Sequence, residues 1–204
     1  MRIRQHVNPR ALHYEQFLGV RPELDLSKLI EVEVGCAEAQ FLFERAARDP
    51  SAQYIGLEIR DELVALVNRQ ARERGAPVTA VFCHAQLHMT ELFPHGSIGR
   101  VFVNFPDPWF KRKHQNRRMV DAVLADAIAE TTRAGAEIFV QTDVWEIALD
   151  ALRAFESDER FANVAGEWTF WREGNPYGVR SWREQNAEET NLPIWRIRYV
   201  RVAD

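Results

Sequence analysis

Apolar runs with strand character alternate with helical patterns in this 204-residue chain, and the alternation recurs five times. The runs lie at residues 29–34, 54–59, 78–83, 101–105 and 137–142. Segments with apolar residues three and four positions apart lie at 40–48, 61–74, 116–133 and 145–155. Alternation of this kind predicts a parallel sheet with helices on both faces.

The last quarter of the chain breaks this alternation. Two further strand-like runs, 167–171 and 194–202, flank a polar loop at 173–190 that shows no clear crossover helix. Two strands joined in this way form a hairpin, which adds one antiparallel strand to the sheet. The sequence therefore predicts an α/β fold with seven strands, mostly parallel with one antiparallel. Ligands of such sheets bind at the carboxyl ends of the strands.

Composition favours a cytoplasmic protein with one domain over residues 1–204. No apolar run approaches the roughly 20 residues that span a bilayer, and the first residues lack the apolar core of a signal peptide. Only two cysteines occur, Cys36 and Cys83, which argues against a disulfide scaffold and against a metal cluster. We therefore expect no membrane and no metal partner, and both a monomer and a homodimer stay open.

The segment after the fourth run combines an acid, an aromatic residue and cations. Pro106 and Pro108 restrict the backbone on both sides of Asp107, so this carboxylate is held stiffly. The residues that follow are Trp109, Lys111, Arg112, Lys113, Arg117 and Arg118, and a basic arm over residues 1–25 adds Arg2, Arg4 and Arg10. The net charge is −4, but segregated cations act locally on phosphates, so the pattern favours a nucleic acid as substrate.

A second group of residues indicates a nucleoside cofactor. The first strand runs into Gly35, whose turn lets a ligand approach the backbone, and Glu58 ends the second strand, where an acid accepts both hydroxyls of a ribose. One glycine is too few for the Gly-x-Gly-x-x-Gly turn of a pyrophosphate binder. Glu33 lies just before the turn and attracts an ammonium or sulfonium group, which favours S-adenosylmethionine over NAD. The alternative is that Glu33 and Glu58 are merely exposed acids at strand ends.

The central motif closely resembles the signature of bacterial tRNA (guanine-N7)-methyltransferases. It consists of Phe105-Pro106-Asp107-Pro108-Trp109, followed by Lys111, His114, Arg117 and Arg118. Residues 32–36 and 56–59 resemble the two cofactor motifs of that family, and residues 181–184 precede Trp195 at the spacing of its C-terminal motif. The match runs in one register through most of the chain, and it implies the Rossmann-like methyltransferase sheet of seven strands.

The resemblance also implies an activity and a set of site residues. The implied activity is transfer of a methyl group from S-adenosyl-L-methionine to N7 of a guanosine in the variable loop of tRNA, forming 7-methylguanosine. The implied cofactor contacts are Glu33, Glu58, Ala85 and Asp107, beside Gly35 of the turn. The implied substrate contacts are Lys111, Asp143, Ser181, Trp182, Arg183 and Glu184.

The chain departs from the family pattern at five positions, one of which is Ser181, where serine replaces threonine and keeps the hydroxyl. Two glycines of the family's turn are Ala37 and Ala39 here, and alanine costs about 1–2 kcal/mol wherever the backbone needs a positive φ. Ala85 replaces the polar residue that faces the adenine, which leaves the adenine amine to backbone groups or to Gln86. Arg183 replaces an aromatic residue. These departures bear on cofactor affinity more than on substrate identity.

The chemistry of guanine N7 suggests what Asp107 does. N7 carries an in-plane lone pair and no proton, so its methylation needs alignment rather than a strong general base. A fixed carboxylate stabilises the cation that develops on the purine, and we expect Asp107 to do this or to anchor the guanine edge. Trp109 either stacks on a base or closes the strand end. Asp143 is also placed to cap the next helix.

Two other functions fit the same fold. The departures at Ala37, Ala39 and Ala85 are consistent with an RNA-binding module whose catalysis is weak or lost. A methyltransferase of small molecules is the other alternative, but it leaves the cations after Asp107 without a purpose.

Overall fold

A computed structural model describes Asn8, Pro9 and residues 19–203, without the side chains of residues 112, 115 and 116. The predicted arginine cluster of Arg2, Arg4 and Arg10 lies outside the described residues. Within the described part of the chain, no helix is long and apolar enough to cross a membrane.

The described strands form one sheet of seven. They are β1 (Ile30–Val34), β2 (Gln53–Glu58), β3 (Val78–Phe82), β4 (Ile98–Asn104), β5 (Thr132–Thr142), β6 (Phe161–Asn163) and β7 (Trp195–Arg201). Their order is β3-β2-β1-β4-β5-β7-β6, and β7 runs antiparallel to both of its neighbours while β1 to β5 pair in parallel. The predicted fold class, with one antiparallel strand in a mostly parallel sheet, is confirmed.

Helices cover both faces of this sheet, as the alternation predicts. The described helices are α1 (Gln40–Arg48), α2 (Asp61–Arg74), α3 (Ala85–Leu92), α4 (Ala122–Thr131), α5 (Trp145–Glu156) and α6 (Trp182–Glu189). Helices α1 and α2 pack in one apolar cluster, and α3, α4 and α5 pack in the other. Strand β4 serves both clusters, because Val101 and Val103 face one side and Phe102 faces the other.

The final hairpin differs from the prediction. The predicted strand at 167–171 is wrong: β6 is the shorter segment Phe161–Asn163, and Trp171 forms only an isolated bridge with Arg196. The loop predicted at 173–190 contains α6, which begins after Ser181, whose hydroxyl accepts a hydrogen bond from the Glu184 amide at 3.2 Å. Helix α6 buries only Glu184 and Ala187, so it lacks the apolar stripe that reveals a helix in a sequence.

The helix predicted at 116–133 is also shorter in the structure. A 3₁₀ helix occupies Arg112–Arg117, and α4 begins only at Ala122. The side chain of Asp121 caps α4 by accepting a hydrogen bond from the Leu124 amide at 3.0 Å. Arg112, Lys113 and Arg117 therefore lie on a short helix separate from α4, with Lys111 just before it and Arg118 just after it.

Candidate active site

A cavity of about 1300 Å³ opens at the carboxyl ends of the parallel strands. The predicted site residues that line it are Glu33, Gly35, Glu58, Ala85, Asp107, Asp143, Ser181, Trp182 and Arg183. Pro9, a described residue of the basic arm, also lines it, whereas Lys111 and Glu184 do not. The structure thus brings nearly all of the predicted residues to one place, because strands β1, β2, β4 and β5 all end at this edge.

Glu33 provides an acceptor that the protein itself does not use. Its side chain is only 4% exposed, and Asn104 Nδ2 donates a hydrogen bond to Oε1 at 2.7 Å. The other oxygen, Oε2, is buried without a hydrogen-bond partner among the described residues. Burial raises the pKa of Glu33 to about 8, with the bond from Asn104 opposing that shift and the charge of Glu58 adding to it. A bound cation would satisfy this oxygen and favour the ionised carboxylate.

The turn after β1 adopts the backbone conformation expected of a glycine-rich loop. Gly35 has φ +74°, and a Cβ added there would lie 3.3 Å from the methyl carbon of Met119. Ala37 and Ala39 have φ values of 50° and 53°, in the left-handed region. The alanines therefore occupy positions where glycine is favoured, and each carries a strain of about 1 kcal/mol or more. The cost predicted from the sequence applies at both positions.

Glu58 accepts several hydrogen bonds in the part of the cavity that also contains Glu33 and Gly35. It is 3% exposed, which excludes the alternative of an exposed strand-end acid, and Glu33 is excluded for the same reason. The Ala37 amide donates to Oε2 at 2.9 Å, so Glu58 fixes the turn directly. Arg60 Nε and Nη2 each donate a hydrogen bond to the same carboxylate, both at 2.9 Å. Ribose hydroxyls that bind here therefore share this carboxylate with Arg60.

Arg60 was not predicted as a site residue, and it links two of the acids. Burial lowers the pKa of its guanidinium, but the hydrogen bond and charge of Glu58, and then the charge of Asp107, raise that pKa above the ordinary value. The positive charge of Arg60 thus lies near the negative charges of both Glu58 and Asp107 at the same cavity. Nothing in the spacing of the sequence distinguishes Arg60 from the other arginines, since its role depends on where α2 begins.

The Ala85 side of the cavity carries a second unused polar atom. Ala85 is buried at the first turn of α3, as expected of a residue without a polar group. The preceding residue, His84, lines the cavity, and its Nδ1 is buried without a hydrogen-bond partner among the described residues. Burial, followed by the charge of His88, lowers the pKa of His84. His84 and Gln86 therefore supply the polar groups that position 85 lacks.

The loop that carries Asp107 is braced at both ends. Phe105 and Trp109 have φ values of 50° and 42°, so residues with side chains take the left-handed conformation on both sides of the prolines. The Phe105 amide donates to the carbonyl of Gln141 at 2.7 Å. Asp107 itself is exposed in the cavity wall. A strained, braced loop presents this carboxylate to a ligand.

One cation after Asp107, Arg118, differs from the prediction, and the two roles predicted for Trp109 both stay open. Arg118 does not belong to a free cationic strip: its side chain is 11% exposed, and it bonds to Asp150 at 2.5 Å and to the Pro108 carbonyl at 3.1 Å. Trp109 has the guanidinium of Arg117 5.0 Å from its ring centroid. Lys111 and Lys113 remain exposed.

The substrate side of the cavity contains an ion pair and an exposed indole. The Arg183 guanidinium donates a hydrogen bond to the Asp143 carboxylate, and the side chain of Asp143 does not cap α5. Trp182 is 65% exposed. Trp145, which the sequence does not single out, lines the cavity too and packs against Trp195 with ring centroids 4.5 Å apart.

Glu184 does not lie in the cavity, and its predicted role as a substrate contact needs correction. The side chain is fully buried, and its oxygens accept hydrogen bonds from Gln141, Asn175 and Arg196 at 2.8–2.9 Å. A carboxylate already bound by three donors behind the cavity wall supports α6 and β7 rather than meeting a ligand. Among the described residues, no group of three or more His, Cys, Asp or Glu side chains is arranged to hold a metal ion.

The fold and the cavity define a class of protein. The architecture matches that of geranyl diphosphate C-methyltransferase from Streptomyces coelicolor, solved with S-adenosyl-L-homocysteine, with a TM-score of 0.57 and 16% identity over 87% of this chain and 75% of that one. It also matches TrmN from Thermus thermophilus, with a TM-score of 0.59 and 14% identity over 85% of this chain and 44% of that one. The chain therefore has the Rossmann-like fold of these proteins.

Sequence relatives define the family within this class. Residues 27–197 match a family model described as "Putative methyltransferase". The tRNA (guanine-N(7)-)-methyltransferase of Synechococcus elongatus is 36% identical over 98% of this chain and 97% of the relative. The enzyme of that name from Thermosynechococcus vestitus is 32% identical over 100% of this chain and 96% of the relative. The chain belongs to the family of tRNA (guanine-N7)-methyltransferases.

Proposed function

We propose that this protein transfers a methyl group from S-adenosyl-L-methionine to N7 of a guanosine in tRNA, with a variable-loop guanosine as the target. The observation that carries the proposal is the pairing of two features in one cavity: the unpartnered, buried oxygen of Glu33 and the braced carboxylate of Asp107. The first suits a cationic cofactor, and the second suits a base that becomes cationic. The protein acts as one domain in the cytoplasm, as a monomer or a homodimer.

The residues of the cavity fit the cofactor. Glu33 Oε2 would accept a hydrogen bond from its ammonium group, and Gly35 would leave room for it beside the backbone. Glu58 would accept hydrogen bonds from the ribose hydroxyls, while His84 and Gln86 would supply the polar groups that Ala85 lacks. The cofactor supplies an electrophilic methyl group on a sulfonium centre. An RNA-binding module without catalysis is less consistent with this full set of polar groups.

Asp107 acts on charge rather than on a proton. Guanine N7 has no proton to remove, so a carboxylate gains most by stabilising the positive charge that appears on the purine. Asp107 is exposed in the cavity and fixed between two prolines, and a preorganised carboxylate pays little reorganisation cost during the reaction. The positive charge of Arg60 lies close enough to Glu58 and Asp107 for both carboxylates to raise the pKa of its guanidinium.

Replacement of Asp107 tests this role. We expect Asp107→Asn to keep the thermal unfolding temperature of the wild type and to lower kcat by about 100-fold, a typical loss when one electrostatic contact to a transition state is removed. The measurement is the initial rate of 7-methylguanosine formation at saturating tRNA and cofactor. Unchanged turnover in the variant would remove Asp107 from the mechanism.

A further inference from the structure

The ion pair between Asp143 and Arg183 lies in the wall of the cavity. Asp143 follows β5 and its side chain is 10% exposed, whereas Arg183 belongs to the first turn of α6 and its side chain is 43% exposed. Arg183 Nη2 donates to Oδ2 of Asp143. No hydrogen bond reaches the other oxygen, Oδ1, from the part of the chain that the structure describes. The pair therefore presents a donor group and an open acceptor side by side.

Guanine has the complementary pattern along one edge. Its O6 is an acceptor, and N1–H and the N2 amine beside it are donors. Adenine reverses the first two groups, because it has an amine at position 6 and an unprotonated N1. A guanidinium next to a carboxylate thus matches guanine and opposes adenine at two adjacent atoms. This contact uses O6 and N1 and leaves N7 free to be methylated.

We propose that the Asp143–Arg183 pair reads the base at the reacting position, with the Arg183 guanidinium donating to O6 and Asp143 Oδ1 accepting from N1–H and the 2-amine. The inference rests on the proposed function and deepens it, since it assigns base selection to a residue that departs from the family pattern. Arg183 is a specificity residue. Trp182, one position earlier and 65% exposed, supplies the aromatic surface that Arg183 lacks.

The position of the pair makes this selection effective. The side chain of Asp143 is only 10% exposed, so a wrong base leaves Oδ1 without the donor that guanine supplies and with limited access to water. Sites that are built to hydrogen-bond a substrate reject analogues that lack the matching group far better than apolar pockets do. Because Oδ2 is already held by Arg183, Asp143 is oriented before the base arrives.

A substrate–mutant cycle tests the assignment. The wild type and Arg183→Met are compared on tRNA transcripts that carry guanosine, 6-thioguanosine or inosine at the reacting position, and kcat/KM for 7-methylation is measured. The sulfur at position 6 weakens the acceptor that Arg183 is proposed to contact and keeps N1–H and the 2-amine, whereas inosine keeps O6 and N1–H and lacks the 2-amine. We expect Arg183→Met to lose about tenfold on guanosine, and the guanosine to 6-thioguanosine ratio to fall toward one. The guanosine to inosine ratio is expected to stay at its wild-type value.

The control variant is Arg180→Met. Arg180 is an exposed arginine near the start of the same helix, it pairs with Glu188 at 2.9 Å, and it does not line the cavity. Its substitution should leave every ratio unchanged. If Arg183→Met keeps the wild-type ratio between guanosine and 6-thioguanosine, the assignment is wrong, and a reduced salt dependence would then identify Arg183 as a phosphate contact. If the wild type forms no 7-methylguanosine on any transcript, the proposed function itself fails.

Discussion

Glu33 shows most clearly how one residue connects this fold to its chemistry. A strand buried on both faces brings the carboxylate into the cavity, Asn104 donates a hydrogen bond to one oxygen, and the other oxygen has no partner among the residues that the structure describes. Leaving a buried acceptor unsatisfied costs folding free energy, commonly about 1–3 kcal/mol. Ligand-binding sites often contain such a destabilising group, because the bound ligand supplies the missing hydrogen bond.

The protonation of Glu33 predicts how stability depends on pH. Its pKa of about 8 in the folded protein lies above the value of about 4.3 in an unfolded chain, so the folded state binds more protons between these values. The stabilisation is complete below about pH 4 and is lost as the pH rises through 8. We expect Glu33→Gln, which cannot ionise, to lose less free energy of unfolding than the wild type between pH 5 and 8.

Urea denaturation at several pH values measures this difference. Glu38→Gln, an exposed acid in the same cavity wall, controls for the loss of one formal negative charge. Parallel pH profiles for the wild type and Glu33→Gln would show that Glu33 is already ionised at neutral pH in the free protein.

At the residue scale, the sequence predicts acids better than it predicts their partners. Glu33 and Glu58 lie near the ends of apolar runs and Asp107 follows one, and parallel strands bring such positions to a single edge. Arg60 contacts Glu58, two residues earlier, and also lies near Asp107, which is distant in sequence, whereas Nδ1 of His84 has no hydrogen-bond partner among the described residues. Glu184 illustrates the opposite failure, because a motif match says nothing about whether a side chain points into a cavity.

At the scale of elements, the loop and 3₁₀ helix after β4 separate structural cations from exposed ones. Arg118 donates a hydrogen bond to the Pro108 carbonyl and forms an ion pair with Asp150, while Lys111 and Lys113 are exposed to solvent. Phosphate contacts made by exposed lysines add to affinity and to its salt dependence without contributing to the chemical step. The two kinds of cation therefore predict two different mutant phenotypes.

Replacement of Lys111 and Lys113 by alanine should change binding alone. We expect the slope of log affinity for tRNA against log salt to fall by about 1–2, since each phosphate contact contributes roughly 0.7–0.9, with kcat unchanged at saturating tRNA. Filter binding over a salt series measures the slope, and Lys28→Ala, an exposed lysine paired with Asp25, is the control. An unchanged slope in the double variant would place the tRNA elsewhere, and Arg118→Ala should instead lower thermal stability.

Predictions from the sequence are least accurate for the short and the polar elements. Strand β6 has three residues, too few to show a period, and it forms because β7 offers it a free edge. Helix α6 is held through Glu184, whose hydrogen bonds come from β5, β7 and the preceding loop. Long elements with regular apolar spacing, such as α2 and α5, are predicted nearly to the residue.

At the scale of the whole molecule, the order of the strands creates the site. The sheet places β1 between β2 and β4, so the predicted cofactor residues of β1 and β2 lie next to Asp107, which follows β4. Strand β5 then adds Asp143, and the antiparallel β7 holds α6 above it. The cofactor side and the substrate side of the cavity therefore adjoin along one edge, as direct methyl transfer requires.

Mass spectrometry of an unmodified tRNA transcript, after incubation with the protein and methyl-labelled S-adenosyl-L-methionine, tests the proposed transfer to guanine N7. Nuclease digestion to oligonucleotides and to nucleosides locates the label. We expect 7-methylguanosine at a single guanosine in the variable loop. Label on another atom or another base, or no label in tRNA under conditions where the cofactor binds, would contradict the proposed transfer.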